Sequence, residues 1–403
     1  MSKRAPGDGV GRPLRLAFIV SHPIQYYAPL YRLLAGRDDM AVKVFFTWHA
    51  GGEPMEDKGF ARPVMWDVPL TEGYEFELAR NSSRDPGTHH FSGLSNPSLV
   101  RQVLAWRPDA VHVTGWAWFS HLLALRALKR RGICILFRGD SHLLDGRGGR
   151  FGWFMKRSLL SRVYAWPAAF LAAGKANRAY YRAFGVNEER LFDCPHSVDV
   201  ARFAEPDREY ESRAAQWRKD LGIGRDKLVI LYAGKFEPKK NPLGLMDAVM
   251  ACGDASLVLL MVGGGELQEK VAERAARSPD RLRLLPFQNQ SRMPIVYRLG
   301  DLFVLPSSHR ETWGLGVNEA LASNRPVLVS DRVGCAADVV TPDCGRVFDA
   351  ADAGALPRAL KGIASRPEML SDWADGARRR APMFDIPVTA AATIACLKKL
   401  VSA

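Results

Sequence analysis

The chain has no apolar run long enough to cross a bilayer. A membrane-spanning helix needs about 20 such residues, and the longest stretch, near Val163 to Ala173, is interrupted by Pro167. The basic start at Lys3 and Arg4 is followed by Pro6, Gly7, Asp8 and Gly9, not by an apolar core, so it does not read as an export signal. The six cysteines (134, 194, 252, 335, 344 and 396) contain no C-x-x-C pair, and all but Cys344 sit in or beside apolar segments. That argues against a disulfide framework and a zinc site, and it fits reduced, buried thiols of a cytoplasmic protein. There is no Asp-x-Asp, and no His/Cys cluster has ligand spacing, so no metal and no bound cofactor are expected. The Gly263-Gly264-Gly265 run does not match the dinucleotide fingerprint and by itself is only a tight turn before a helix.

What is present is an ordinary globular composition. Over 403 residues, 47% are hydrophobic and 25% charged, enough for two or three domains with sizeable cores. Basic residues exceed acidic ones by 13, which favours anionic partners such as nucleotides or an anionic membrane face. A nucleic-acid partner is not expected, because the basic residues are dispersed and the binding motifs are missing.

Strand-like runs alternate with helical periodicity throughout, which predicts an α/β fold with parallel sheets. In the first half the strands are read at 16–20, 42–47, 110–114, 133–137, 168–173 and 190–193. In the second they are read at 228–232, 256–262, 282–286, 301–305, 326–330 and 345–348. The expected organisation is a disordered basic tail over 1–13 and a Rossmann-like domain over 14–200. A second such domain follows over 201–384, and a C-terminal helix over 385–403 returns to the first. Residues 58–81 lack helix periodicity and read as an excursion over the first domain, and 199–225 as the interdomain junction.

Two constellations carry chemistry. The first is the run from Ser307 to Glu319, between an apolar strand and a helix. Glu311 and Glu319 flank a glycine-containing turn whose amides at Gly314, Leu315 and Gly316 can point at an anion. Two carboxylates with amides between them suit a ligand with hydroxyls at each end and phosphate in the middle. The second follows the strand at 228–232. Gly234 permits close backbone approach, while Lys235 and Lys240 stand at a strand end and near the helix start at Asn241-Pro242, where an anion is favoured. Such lysines can neutralise a diphosphate leaving group. Phe287 to Gln290 end the third strand, where a base can rest.

Taken together, these pieces resemble the donor-binding half of the retaining GT-B glycosyltransferases of family GT4. The matching residues are Gly234-Lys235 with Lys240, Val262 to Gly265, Glu311 with Glu319 at E-x7-E spacing, Pro326 to Ser330, and Gly345 to Phe348. Pro195 to Phe203 resembles the family's junction, with Ser197 where Gly is usual. The resemblance spans Leu14 to about Phe384 and implies two doubly wound domains facing across a cleft. It implies that Glu311 contacts the donor sugar, Glu319 the ribose, and Lys235 and Lys240 the diphosphate, helped by amides at Trp313, Gly314 and Leu315. It further implies a nucleotide-sugar donor, retention of configuration and no metal. The chain departs from the pattern at Lys235, where Arg is common, and at Trp313, where Phe is common. The family's first Gly-rich loop is replaced by Ser21 to Pro29, which resembles bacterial polysaccharide-assembly members. After the strand at 133–137, Arg138 stands near the family's usual His, with Asp140 and His142 as alternatives for contact with the sugar.

The acceptor side is less defined. Trp116 and Trp118 can stack on a sugar, dip into lipid or belong to the core. Residues 147–162 interleave basic side chains with Phe151, Trp153, Phe154, Met155, Leu159 and Leu160, the pattern of a helix on an anionic membrane surface or of one packed on its own sheet. The expected acceptor is a glycan or polyprenyl-linked glycan of bacterial surface polysaccharide, taken at the inner face of the plasma membrane. Two other classes remain on such a fold: a sugar-nucleotide isomerase or epimerase, and a catalytically silent partner.

Overall fold

A computed structural model describes residues 12–49, 55–57, 60, 62–144, 149–204 and 208–402. Each half is built on a parallel sheet. The first has strands β1 (Leu14–Val20), β2 (Met40–Phe46), β5 (Glu75–Leu78), β6 (Ala110–Thr114), β7 (Cys134–Arg138), β8 (Ala169–Ala172) and β9 (Leu191–Asp193), in the order β5-β2-β1-β6-β7-β8-β9. A small antiparallel pair, β3 (Met55–Asp57) and β4 (Arg62–Val64), lies outside it. The second sheet has β10 (Leu228–Lys235), β11 (Leu257–Gly264), β12 (Leu282–Pro286), β13 (Leu302–Leu305), β14 (Val327–Ser330) and β15 (Gly345–Phe348), in the order β12-β11-β10-β13-β14-β15. Both orders reverse beside the first strand, which makes the crevice outside the carboxyl ends of β10 and β13 the natural ligand site.

The strands form because their apolar runs are continuous rather than alternating, as burial on both faces requires. Ile230, Leu231 and Tyr232 of β10 and Leu259, Leu260 and Met261 of β11 are fully buried. Both strands run longer than the sequence predicts, so Gly234 pairs with Gly263 and Lys235 with Gly264 inside the ladder. Gly263 (φ 147°) is obligatory there, since a Cβ would lie 1.9 Å from the Gly234 carbonyl oxygen.

The expected crossing helix is present as Ile386–Val401. Its Ile386, Ala390, Cys396 and Leu397 join the core that covers β1 and β2 of the first sheet. The two segments that pass between the halves lie side by side: Val198 N–H donates to Phe384 O (3.1 Å), and Thr389 Oγ1 donates to Pro195 O (2.8 Å). The expected junction at 199–225 is partly helical. Its helix Glu209–Asp220 packs on the second half, where Arg218 forks onto the Asp301 carboxylate (2.9 and 3.0 Å). Of the expected tail, residues 1–11 lie outside the described residues, and Arg12 pairs with Asp109 (2.6 Å).

Candidate active site

A cavity of about 440 Å³ opens between the two halves at the carboxyl ends of β10 and β13. Asp140, Gly234, Lys235, Lys240, Phe287, Glu311, Trp313, Gly314, Leu315 and Glu319 all line it. Arg138 does not.

Glu311 sits in the loop after β13 and is almost buried. Its Oε2 accepts from Lys240 Nζ (2.6 Å) and from Ser307 Oγ (3.2 Å). The lysine ends a short 3-10 turn, Pro238–Lys240. Contrary to the expected cap, Asn241 is left-handed (φ 52°) and makes no side-chain cap bond, its amide lying against Gly244, while Pro242 opens the helix as expected. The Glu311 backbone is held from the opposite half: His142 Nε2 donates to Glu311 O (3.1 Å), and Leu144 N–H donates to His142 Nδ1 (3.2 Å). A charged pair, one hydroxyl and a cross-domain imidazole thus fix a single carboxylate.

Glu319 lies in the helix Leu315–Ala322, whose first turn follows Gly314 (φ 93°) at the cavity wall. Tyr297 OH donates to its Oε2 (2.7 Å), and Arg202 stands 3.9 Å from Oε1. Oε1 is buried with no hydrogen-bond partner. Burial pushes the Glu319 pKa up, against the opposing pull of Arg202, Tyr297 and Tyr26. This carboxylate is therefore held under-satisfied, one buried oxygen lacking a hydrogen-bond donor.

Across the cavity, His196 Nε2 donates to Asp140 Oδ1 (2.9 Å). Burial and the charge on Arg138 push the His196 pKa down, so the imidazole is neutral at pH 7. Burial would raise the Asp140 pKa, but the His196 bond and the Arg138 charge overcome it and hold it down at about 2. Arg138 is the departure from the sequence expectation. Its guanidinium is buried beneath the pair, Nη1 bonded to Cys194 Sγ (3.3 Å) and its charge under the Tyr27 ring (5.9 Å), because β7 points it into the core rather than into the cleft. It acts on the cavity through Asp140 and His196, not by contact.

His196 and Tyr297 are cavity residues to which the sequence expectation gives no site role; His196 is the one facing Asp140. It sits in the Pro195-His196-Ser197-Val198-Asp199 run, read there only as a junction. Its ring packs against Trp313 (5.4 Å), whose Nε1 donates to Asn318 Oδ1 (3.0 Å), and Asn318 Nδ2 in turn donates to His196 O (3.2 Å). The replaced Gly-rich loop also contributes, with residues 22–26 on the wall.

The other end of the cavity is aromatic. Phe287 packs edge-on to Phe60 (4.7 Å) and near Trp66 (6.2 Å), and Lys235 Nζ stands 5.0 Å over the Phe60 ring. Phe60 and Trp66 belong to the excursion, which at its end lies on the first half, with Arg32 donating to Pro69 O (3.1 Å) and β5 pairing with β2, and around Phe60 and residues 62–67 reaches over to the second half. There Asn289 Nδ2 donates to Met65 O (2.7 Å) and Ser291 N–H to Asp67 Oδ1 (3.0 Å). Trp118 is used in packing, its Nε1 donating to Thr88 O (3.1 Å).

Among the described residues, the one convergent group of metal-ligand side chains is Asp85, His89 and His90, and none of the three lines the cavity. Their spacing in the sequence matches no ligand motif, and it is the loop fold that brings them together.

Comparison with known proteins places both halves in one group. Residues 214–380 match the family model of glycosyl transferases group 1, and residues 75–192 match that of the glycosyl transferase 4-like domain. The D-inositol 3-phosphate glycosyltransferase 2 of Catenulispora acidiphila is 30% identical over 225 residues, 53% of this chain and 51% of that protein. The D-inositol 3-phosphate glycosyltransferase of Rhodococcus erythropolis is 27% identical over 353 residues, 80% and 77% of the two chains. The chain spans about half the length of the first curated relatives it matches. In fold it is similar to Anabaena HepE in complex with UDP and glucose, with a TM-score of 0.68, 16% identity, and coverage of 97% of this chain and all of that one.

Proposed function

The chain belongs to the GT-B glycosyltransferases of family GT4, and from that premise we propose that it transfers a sugar from a nucleoside diphosphate sugar to a glycan or lipid-linked acceptor with retention of configuration. The observation that carries this reading is the pair of carboxylates on one cavity: Glu311 neutralised by Lys240, and Glu319 with an oxygen unbonded. Ribose hydroxyls would donate to Glu319 Oε1, relieving its under-satisfied state. The diphosphate would lie along Lys240, Lys235, Gly234 and the amides at Gly314 and Leu315, where positive charge and free N–H groups offset the charge growing on the leaving oxygen. The base would take the aromatic end at Phe287. Glu311, turned toward the sugar, would oppose the developing oxocarbenium charge, while Asp140 and His196 face that sugar from the other half.

In this reading the departing phosphate takes the acceptor proton, and no metal takes part, the lysines and amides supplying the positive field. The proteins similar in sequence are named for inositol phosphate acceptors and the structural neighbour for UDP and glucose, so those are the first candidates for the panel below.

The helix Arg150–Val163 supports the reading of an acceptor held at a membrane. One face is used by its own domain: Trp153 packs on Phe184 (4.8 Å), and Leu160 and Val163 are buried. On other faces Phe151 (79% exposed), Phe154 (66%), Met155 (54%) and Leu159 (50%) remain uncovered, with Lys156 and Arg157 beside them. Apolar side chains at i, i+3, i+4 and i+8 among cations are what an anionic bilayer surface binds. No helix among the described residues is long and apolar enough to cross a membrane; the contact proposed is peripheral, on the cytoplasmic side. Arg147, expected to join this segment, lies outside the described residues.

The test is nucleoside diphosphate release from UDP-, GDP-, ADP- and dTDP-sugars, with wild type and Glu311→Ala, with and without an inositol phosphate acceptor. Release of one nucleotide that falls at least about a hundredfold in the variant is expected, as for loss of a group acting in the transition state. Release unaffected by the variant would place the chemistry elsewhere.

A further inference from the structure

We propose that Asp85, His89 and His90 form a binding site for a zinc-class divalent cation, separate from the sugar-transfer cavity. The three side chains come from one loop that follows β5, at the carboxyl-end edge of the first sheet. Both imidazoles aim Nε2 at the same carboxylate oxygen: Asp85 Oδ2 is 3.3 Å from His89 Nε2 and 3.0 Å from His90 Nε2. One ligand atom from each residue lies within 4.8 Å of the others. A tetrahedral cation with donors at about 2 Å sets those donors about 3.3 Å apart, so the group needs only small side-chain movements to close on an ion. Two imidazoles and a carboxylate are the donor set that suits zinc and its first-row neighbours, and three protein ligands leave one position open to water or an anionic oxygen.

The loop is built to hold these rings. Asn81 Oδ1 accepts from the N–H groups of Ser83 (3.0 Å) and Ser95 (2.9 Å), and Asn81 Nδ2 donates to Gly93 O (2.8 Å). Trp118 Nε1 anchors Thr88 O. Gly87 leaves room for the His89 ring, since a Cβ there would lie 2.6 Å from His89 Nδ1. The far nitrogen of His90, Nδ1, lies 3.0 Å from Ser92 Oγ. In the metal-free loop His90 Nε2 donates to Asp85 O (3.0 Å); an ion would replace that bond, the proton passing to Nδ1 beside Ser92 Oγ, which is how outer partners orient ligating histidines. Without a cation, three polar groups converge and point at each other on an exposed loop. With one, each gains a ligand bond.

The test uses the full-length chain stripped with chelator, then titrated with Zn²⁺ by calorimetry and with Co²⁺ by visible absorption. One equivalent of each is expected, with a Co²⁺ absorption band of the strength that four-coordinate sites give. His89→Ala, His90→Ala and Asp85→Asn should each weaken Zn²⁺ binding at least tenfold while leaving the metal-free melting temperature unchanged, because all three side chains are solvent-accessible. The absence of stoichiometric binding would overturn the site. So would binding that survives in the His89→Ala/His90→Ala double variant, which would place the ion elsewhere, for instance on a cysteine.

Discussion

At the scale of single residues, Glu319 is a carboxylate that burial holds at a cost in stability. Its folded pKa is raised by burial, so between its unfolded value near 4.3 and the raised folded value the native state holds the extra proton, and stability falls as pH rises through that window. At pH 7 the buried carboxylate is a net cost. Glu319→Gln should therefore raise the melting temperature while weakening nucleoside diphosphate binding about tenfold, the range for losing one charge-assisted hydrogen bond. Scanning fluorimetry with and without nucleotide checks both signs, and a variant that binds as wild type would remove Glu319 from the ribose. Asp140 has the opposite linkage. Its depressed pKa means that the stability it adds is present above about pH 4 and is lost as pH falls toward 2. With His196 pushed toward its neutral form and Asp140 ionised, this pair should leave the transfer rate flat from pH 7 to 8. Asp140→Asn should lower kcat/KM without moving that plateau, which a pH profile of both proteins measures. Several of these residues were legible one by one from charge beside glycine at a strand end. His196 and the buried attitude of Arg138 were not, because which way a side chain leaves a strand end, and what lies beneath it, depends on the register of β7 beside β8 and on a residue 56 positions away.

At the scale of elements, the turn from β13 into the helix Leu315–Ala322 depends on Gly314. Its φ of 93° disfavours any side chain, and a Cβ would lie 2.8 Å from Val333 Cγ1 and 2.9 Å from Leu305 Cδ2. Gly314→Ala should cost about 2 kcal/mol from left-handed strain and crowding, a fall of roughly 4–8 °C for a domain of this size. It should also remove nucleotide protection, because the amides at Gly314 and Leu315 would turn from the cavity; nucleotide-dependent melting distinguishes that from simple destabilisation. Periodicity made the strands and most helices readable, since buried parallel strands are unbroken apolar runs. It could not show that β10 and β11 extend through Gly234 and Gly263, where composition reads as turn, nor that Phe60 and residues 62–67 reach across to the second half. The excursion is held by polar contacts to Asn289 and Ser291 that leave no periodic trace. The left-handed Asn241 is likewise set by Gly244, three residues on, rather than by its own helix-capping preference.

At the scale of the whole molecule, the excess of 13 positive charges and the uncovered side chains of the helix Arg150–Val163 act together. In the proposed membrane contact, charge would draw the chain toward an anionic surface and apolar insertion would keep it there. Each phenylalanine taken from water into the interfacial region contributes up to about 1.5–3 kcal/mol, and each lysine or arginine at the surface about 1 kcal/mol. Phe151→Asp/Phe154→Asp should thus lower binding to anionic vesicles a hundredfold or more, and Lys156→Ala/Arg157→Ala about thirtyfold. Raising salt should weaken the wild type and the Phe variant, because screening acts on the charges alone, while the lysine–arginine variant loses part of that sensitivity. Neither pair lines the cavity, so turnover of a water-soluble acceptor should be unchanged in both, and only transfer to a lipid-embedded acceptor should fall. Vesicle co-sedimentation at two salt concentrations, run beside both transfer assays, separates the contributions. Equal vesicle binding by wild type and the Phe variant would show that this helix face does not meet the bilayer, whatever the net charge does at long range.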